Sequence, residues 1–315
     1  MKKRRFSPGH VHHVYQKPIH DIVLFHTRRD FIVFLTIFFT VKSKYPVRVL
    51  SVCPMVDHLH VVLEADTKEI LSAFIQEYTS KFVKEYNRSF GRSSGRIFVR
   101  RFGCAPRRSE KDARSAVAYS YNNAPERRLC AHAIDYQWNM LAYAESNHPF
   151  SEKLVESRCS RSMRKALSIV RSYHRLAEPL GYAVLGRLYR DLDKRESGQL
   201  TDFILSTYCN VDFEVATELY GDMQTMLIAI DSNTGKEFGL GESWTGYTDT
   251  VYAQMGAMLM KKTQVHDLKA LLKFSLRERR ELFQYLKSTH LFLDRQIEKY
   301  LQLPETRGRR MDDFQ

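Results

Sequence analysis

The chain has 315 residues, with 43% hydrophobic and 27% charged side chains, a formal net charge of +13 and a sequence pI near 9.5. That length gives one large or two ordinary domains with real cores. The excess of Lys and Arg points to a polyanionic partner, nucleic acid ahead of an anionic membrane. The basic start, Met1–His10, has no apolar run behind it, which excludes a secretory signal reading. Five scattered cysteines (Cys53, Cys104, Cys130, Cys159, Cys209) form no Cys-x-x-Cys pair, which excludes a zinc ribbon and a disulfide framework and fits a reducing cytoplasm.

In chain order, residues 10–26 read as β-structure broken at Lys17-Pro18. A helix is expected over 28–44. Its apolar run, Phe31–Val41, falls short of the ~20 residues that span a bilayer and is flanked by Arg28, Arg29, Asp30, Lys42 and Lys44, so no membrane partner is expected. Val47–Cys53 alternates like a strand, and Asp57–Glu64 does so again. Thr67–Phe90 places Ile70, Leu71, Phe74, Ile75, Tyr78, Phe82 and Tyr86 at helical spacing, and Gly91–Gly95 ends it. Ile97–Phe102 reads as a short strand. Ser109 caps a helix to about Asn123, where Pro125 stops it. A small antiparallel sheet with helices on one face satisfies this order, closing near Pro149.

After Ser151 the strand signal disappears, and 160–302 reads as largely helical with loops at Asp231–Gly235 and Gly239–Gly241. The expected division is 1–150 and 151–315. Ser275–Glu278 is a capping box. Ser275–Thr289 and Asp294–Leu301 are spaced like the first two helices of a helix-turn-helix. Glu305–Arg310 has few apolar residues and reads as a basic tail rather than a recognition helix, so any such motif at 275–310 is degenerate.

Two segments carry chemistry. In Asp57–Glu64, His58 and His60 leave the same face of a strand. In Tyr119–Asn123, a phenol and a carboxamide share a helix face at i and i+4. Two imidazoles and an amide oxygen can hold one divalent ion, and a tyrosine beside it can attack a phosphodiester. Tyr121 competes as nucleophile but points about 160° from Asn123 around the helix. His10-Val11-His12 is a rival pair in a less regular segment. Ordinary strand histidines and a packing tyrosine are the bland alternatives.

The basic stretch Arg88, Arg92, Arg96, Arg100, Arg101, Arg107 and Arg108 has no acidic residue between Tyr86 and Arg108 and is interleaved with Phe90, Phe98 and Phe102. Arginine neutralises phosphate and exposed aromatics stack on unpaired bases. These arginines are the DNA-binding candidates. The phenylalanines fit a buried role equally. Gly235-Lys236 lacks the earlier glycine of a P-loop, and no serine stands in a nucleophile-elbow context.

Read together, Met55–Glu64, Leu71–Gln76, Tyr86–Arg92, Gly95–Phe102, Tyr119–Asn123 and Asp135–Trp138 resemble, in order and spacing, the single-tyrosine HUH transposases of the insertion-sequence 200/605 type, REP-associated tyrosine transposase branch. The likeness covers roughly residues 8–145. It implies a ferredoxin-like α+β nuclease domain, followed here by the helical region. It further implies action on single-stranded or hairpin DNA as a bacterial transposase, through a 5′-phosphotyrosine with a free 3′-hydroxyl. In the implied mechanism His58, His60 and Asn123 hold Mg²⁺ or Mn²⁺, Tyr119 is the nucleophile, and Asp57 either orients a motif histidine or is solvated. The chain departs from the family at Val56-Asp57, where Pro-Asn is usual, and at Asn123-Ala124-Pro125, where Asn-Pro is usual. A monomer or homodimer associated with the nucleoid is expected. The alternatives are a non-cleaving DNA-binding regulator and a nuclease that uses water.

Overall fold

The computed structural model describes residues 6–89, 95–99, 101–232, 249–265 and 267–304. Its sheet is built from β1 (Val11–Gln16), β2 (Val47–Pro54), β3 (Leu59–Ala65) and β4 (Gly103–Arg107), ordered β2-β3-β1-β4 with every neighbour antiparallel. Helix α1 (Arg28–Lys42) links β1 to β2, and α2 (Lys68–Ser89) links β3 to β4. This βαββαβ arrangement is the ferredoxin-like α+β fold expected from the sequence.

The alternating pattern of the strands separates two cores. Val14, Val61 and Leu63 point to one face, where they pack with Phe34, Phe38, Phe74, Tyr78 and Phe82 of α1 and α2. Val11, Leu50 and Val62 point to the other, where they meet Ala116, Val117 and Tyr121 of α3 (Glu110–Glu126). The crossover helices therefore lie on one side of the sheet and α3 on the side opposite. Leu50 faces α3 by alternation with Val47 and Val49, and the register shift between Val49 and Ser51, an irregularity of the β-bulge type, returns Val52 to the α1/α2 core.

Three local readings are corrected. The last strand is Gly103–Arg107, not Ile97–Phe102; Phe98 contributes one bridge to Pro18 and is buried. Pairing with β1 decides this against local propensity, and Pro106 is tolerated because β4 is an edge strand. Pro125 does not stop α3 at Asn123 but sits in its last turn. The helix closes beyond it: Arg128 adopts φ 56°, its N–H donates to the Pro125 carbonyl (2.8 Å), and the Leu129 N–H donates to Ala124 (3.0 Å). That is a Schellman closure with arginine at the left-handed position. Of residues 10–26, only Val11–Gln16 is strand; Ile19–Asp21 is a 3₁₀ turn, and the Leu24 and Phe25 N–H groups both donate to the Val56 carbonyl.

The region after 151 is helical where described: α4 (Arg161–Arg175), α5 (Tyr182–Leu188), α6 (Lys194–Tyr208), α7 (Phe213–Glu218), α8 (Met223–Asp231), α9 (Thr250–Thr263), α10 (Leu276–Ser288) and α11 (Asp294–Tyr300). Leu167, Val170, Leu200 and Ile204 join the α1/α2 core, and Val23 and Val56 join a cluster with Leu259, Leu286 and Ile297. Asp212 caps the free edge of β2, accepting from the Val49 N–H (2.6 Å) while its own N–H donates to the Val49 carbonyl (2.8 Å). The capping box at Ser275 and Glu278 forms as expected. The loops at Asp231–Gly235, from residue 233, and at Gly239–Gly241, with the tail at Glu305–Arg310, lie outside the described residues. Among those described, no helix is long and apolar enough to cross a membrane.

Candidate active site

The face of the sheet under α3 gathers the histidines. His60 stands on β3 and His58 just before it, with ring centroids 4.9 Å apart and planes nearly perpendicular. Opposite His60 on β1 is Tyr15. Its ring centre lies 5.1 Å from His60 and 5.6 Å from His58. His13, two residues earlier on the same face, places Nε2 2.9 Å from His60 Nδ1. Tyr119 closes the group from α3, its ring edge-on to His60 (5.5 Å) and to His13 (5.8 Å) of the same chain. Tyr121 faces the sheet instead, buried, and its hydroxyl donates to the Leu50 carbonyl (3.0 Å). The 160° separation on the helix thus puts one tyrosine at the histidines and the other in the core.

Each motif histidine is held at Nδ1. His58 Nδ1 lies 2.6 Å from Asp57 Oδ1. A carboxylate only accepts, so Nδ1 carries a proton, and in the neutral ring Nε2 keeps its lone pair. That Nε2 is buried and has no hydrogen-bond partner. His60 Nδ1 meets His13, and the pair has two tautomeric arrangements. When His60 Nδ1–H donates to His13 Nε2, His60 also turns an unprotonated Nε2 away from its holder. The reverse arrangement is the one served by Arg107, whose Nη2 lies 3.5 Å from His13 Nδ1, a contact at the limit of hydrogen-bond length.

Burial keeps His13 and His60 neutral. Burial lowers the His13 pKa to about 3, and Arg107 adds to the effect. Burial, then His58, His13 and Arg127, hold His60 well below the usual histidine range. Burial alone would raise the Asp57 carboxyl, but His58 and Lys299 outweigh it and hold it ionised, far below the usual carboxylate range. A neutral His60 near the ionised Asp57 carboxylate suits a divalent cation.

The residues therefore fit a metal through His58 Nε2 and, in one tautomer, His60 Nε2. Among the described residues no group of three or more His, Cys, Asp and Glu could hold a metal ion, so further ligands would be amide oxygens or water. Asn123 is buried on α3, and its Nδ2 donates to the Tyr119 carbonyl (2.8 Å), which leaves Oδ1 uncommitted by that bond.

His58 and His60 are packed, at 3% and 0% exposure, among aromatic rings. Five further participants are not among the residues expected from the sequence. His13 and Tyr15 come from β1, and their β-alternation was the available signal, obscured by the competing His10-Val11-His12. Arg127, one turn past Asn123, caps the C-terminus of α3. Its guanidinium is 3.8 Å from the buried carboxyl of Asp249, whose pKa burial pushes up to about 6, with Asp57 adding to the rise. Lys299 of α11 bonds Asp57. Asp249 and Lys299 carry no local signal.

Of the arginine stretch, Arg92 and Arg100 lie outside the described residues. Arg88 is exposed at the end of α2 and pairs with Glu85, an acid just outside the uncompensated window. Arg96, Arg101 and Arg108 are exposed, and Arg107 is half-buried beside His13. Phe98 is buried and Phe102 packs against the core, so these two rings are structural.

Residues 7–119 match the family described as Transposase IS200 like. No curated protein matches the chain. A solved structure described as "Structure of the REP associates tyrosine transposase bound to a REP hairpin" is 17% identical over 44% of this chain and 81% of that chain, with a TM-score of 0.38.

Proposed function

We propose that this chain, whose residues 7–119 match the IS200-like transposase family, is a metal-dependent single-stranded DNA endonuclease and strand transferase that works through Tyr119. The observation that carries the reading is the edge contact of Tyr119 with His60 in one chain, beside a His58 whose Nε2 is buried and unsatisfied. His58 and His60, with the Oδ1 of Asn123, would hold Mg²⁺ or Mn²⁺, which when bound neutralises and polarises the scissile phosphate. Imidazole ligands favour Mn²⁺ over Mg²⁺.

The chain's own residues do the rest. The Tyr119 oxygen attacks phosphorus and the 3′-oxygen departs, giving a 5′-phosphotyrosine and a 3′-hydroxyl, the polarity that the family resemblance implies. One phosphate ester replaces another, so rejoining needs no ATP. Asp57 and His13 hold the imidazoles in place, and the aromatic packing of His13, Tyr15 and Tyr119 restricts water around His60. Exposed Arg96, Arg101 and Arg108 supply positive charge for the DNA backbone. Single-stranded or hairpin DNA is the partner, because a relaxed duplex resists bending a phosphate into a site under α3.

The test is incubation of the chain with single-stranded hairpin DNA and Mn²⁺, followed by a denaturing gel. A protein–DNA adduct that EDTA abolishes supports the reading. Binding without an adduct across candidate hairpins would favour a DNA-binding regulator.

A further inference from the structure

Lys299 lies on α11, outside the family-matched segment, yet it enters the histidine site. Its Nζ bonds Asp57 Oδ2 and lies 3.0 Å from Asp21 Oδ1. The other Asp57 oxygen, Oδ1, takes His58 Nδ1 at 2.6 Å. The Lys299 and Asp57 side chains are 13% and 9% exposed, so the pair is formed largely out of water.

The backbone fixes this meeting. The Val23 N–H donates to the Lys299 carbonyl (3.2 Å), His26 Nε2 donates to the Tyr300 carbonyl (3.0 Å), and Gln302 Nε2 donates to the Val23 carbonyl (3.1 Å). The same segment is bonded on its other side to the Val56 carbonyl through Leu24 and Phe25 (2.9 and 3.1 Å). Val56 directly precedes Asp57 and packs in the same apolar cluster as Ile297 of α11. Arg295, one turn before Lys299, also bonds Asp21 (2.9 Å). The helix end and the turn that carries Asp57 are thus tied to one strip of chain.

We infer that Lys299 is a positioning residue for the metal site: by engaging one Asp57 oxygen it turns the other onto His58 Nδ1 and leaves His58 Nε2 for the cation. A buried carboxylate with one imidazole partner can rotate or accept from other donors. With Lys299 on Oδ2 it cannot do so without leaving a buried charge unpaired. The C-terminal helices are then part of the active site. The inference rests on the proposed role of His58 as a ligand.

The experiment uses the full chain as wild type, Lys299→Met, Lys299→Gln and Lys299→Arg. The His58 tautomer is read from ¹⁵N ring shifts in metal-free protein, assigned by its loss in His58→Gln. Mn²⁺ affinity is read by electron paramagnetic resonance, and folding by thermal unfolding. Wild type should show Nδ1-protonated His58. Lys299→Met, or Lys299→Gln if the former does not fold, should mix the tautomers and weaken Mn²⁺ binding about 10- to 100-fold. Lys299→Arg should restore both. An Nε2-protonated His58 in wild type overturns the inference without any variant. So does a folded Lys299→Met or Lys299→Gln with unchanged tautomer and affinity, and in that case the proposed function stands. A wild type that binds no Mn²⁺ overturns the metal reading itself.

Discussion

His13 Nε2 stands 2.9 Å from His60 Nδ1, from a neighbouring strand and 47 residues away in the chain. In the tautomer with His60 Nδ1–H donating, the contact gives His60 the same kind of holder that Asp57 gives His58, with a neutral imidazole in place of a carboxylate. His13→Ala should weaken Mn²⁺ binding by about 10- to 100-fold, the usual cost of removing a group that orients a metal ligand. His13→Gln, which can still accept from Nδ1–H, should recover part of it. Equal affinity in all three proteins, measured by Mn²⁺ titration, would show that His13 only packs.

The same residue makes a pH prediction. The pKa of His13 is lowered from 6.5 to about 3 in the folded state. The unfolded chain therefore binds the extra proton between those values, and stability rises with pH across the window. Asp249 works the other way: its carboxyl is raised from 3.8 to about 6, so its contribution is lost as pH rises through that range. Comparing wild type with His13→Asn isolates the histidine. Denaturation at pH 7 and pH 5 should show a larger loss on acidification in wild type than in the variant. A loss of the same size in both would refute the buried neutral imidazole.

The sequence shows some of this site and hides the rest for physical reasons. His58 with His60, and Tyr119 with Asn123, are legible because each pair lies within one element, where the periods of 2 and 3.6 decide which side chains share a face. His13, Asp249 and Lys299 arrive through tertiary contacts over long separations, which no local period records. The strands at Val47–Cys53 and Asp57–Glu64 are legible from alternation. The last strand is not, because Gly103–Arg107 has weak strand propensity and is specified by its pairing with β1. The Val56-Asp57 departure from the family pattern also becomes intelligible: Val56 packs with the C-terminal cluster and Asp57 takes Lys299.

Tyr121 is assigned to structure by its bond to the Leu50 carbonyl at the β2 irregularity. Tyr121→Phe leaves that buried acceptor unpaired and should cost about 1–2 kcal/mol in urea denaturation. Adduct formation should be unchanged. A variant that is fully stable but cleavage-dead would reverse the roles of the two tyrosines.

Backbone recognition predicts a steep salt dependence and a preference for single-stranded or hairpin DNA over blunt duplex. Arg96 and Arg108 are exposed. Replacing either with alanine should lower the slope of log K against log salt by about 0.7 for single strands, and should do so regardless of sequence. Competition binding at several salt concentrations checks this. A flat salt response, or equal affinity for a perfect duplex, would argue against a single-strand phosphate track.

Two tyrosines flank the motif histidines, since Tyr15 is as near His60 as Tyr119 is. The most direct measurement is therefore to trap the protein–DNA adduct, digest both components and map the modified peptide by mass spectrometry, with Tyr119→Phe and Tyr15→Phe in parallel. The account predicts a nucleotide phosphate on Tyr119, no adduct from Tyr119→Phe with DNA binding retained, and an adduct still formed by Tyr15→Phe. A phosphate mapped to Tyr15 or Tyr121, or an undiminished adduct from Tyr119→Phe, would contradict it.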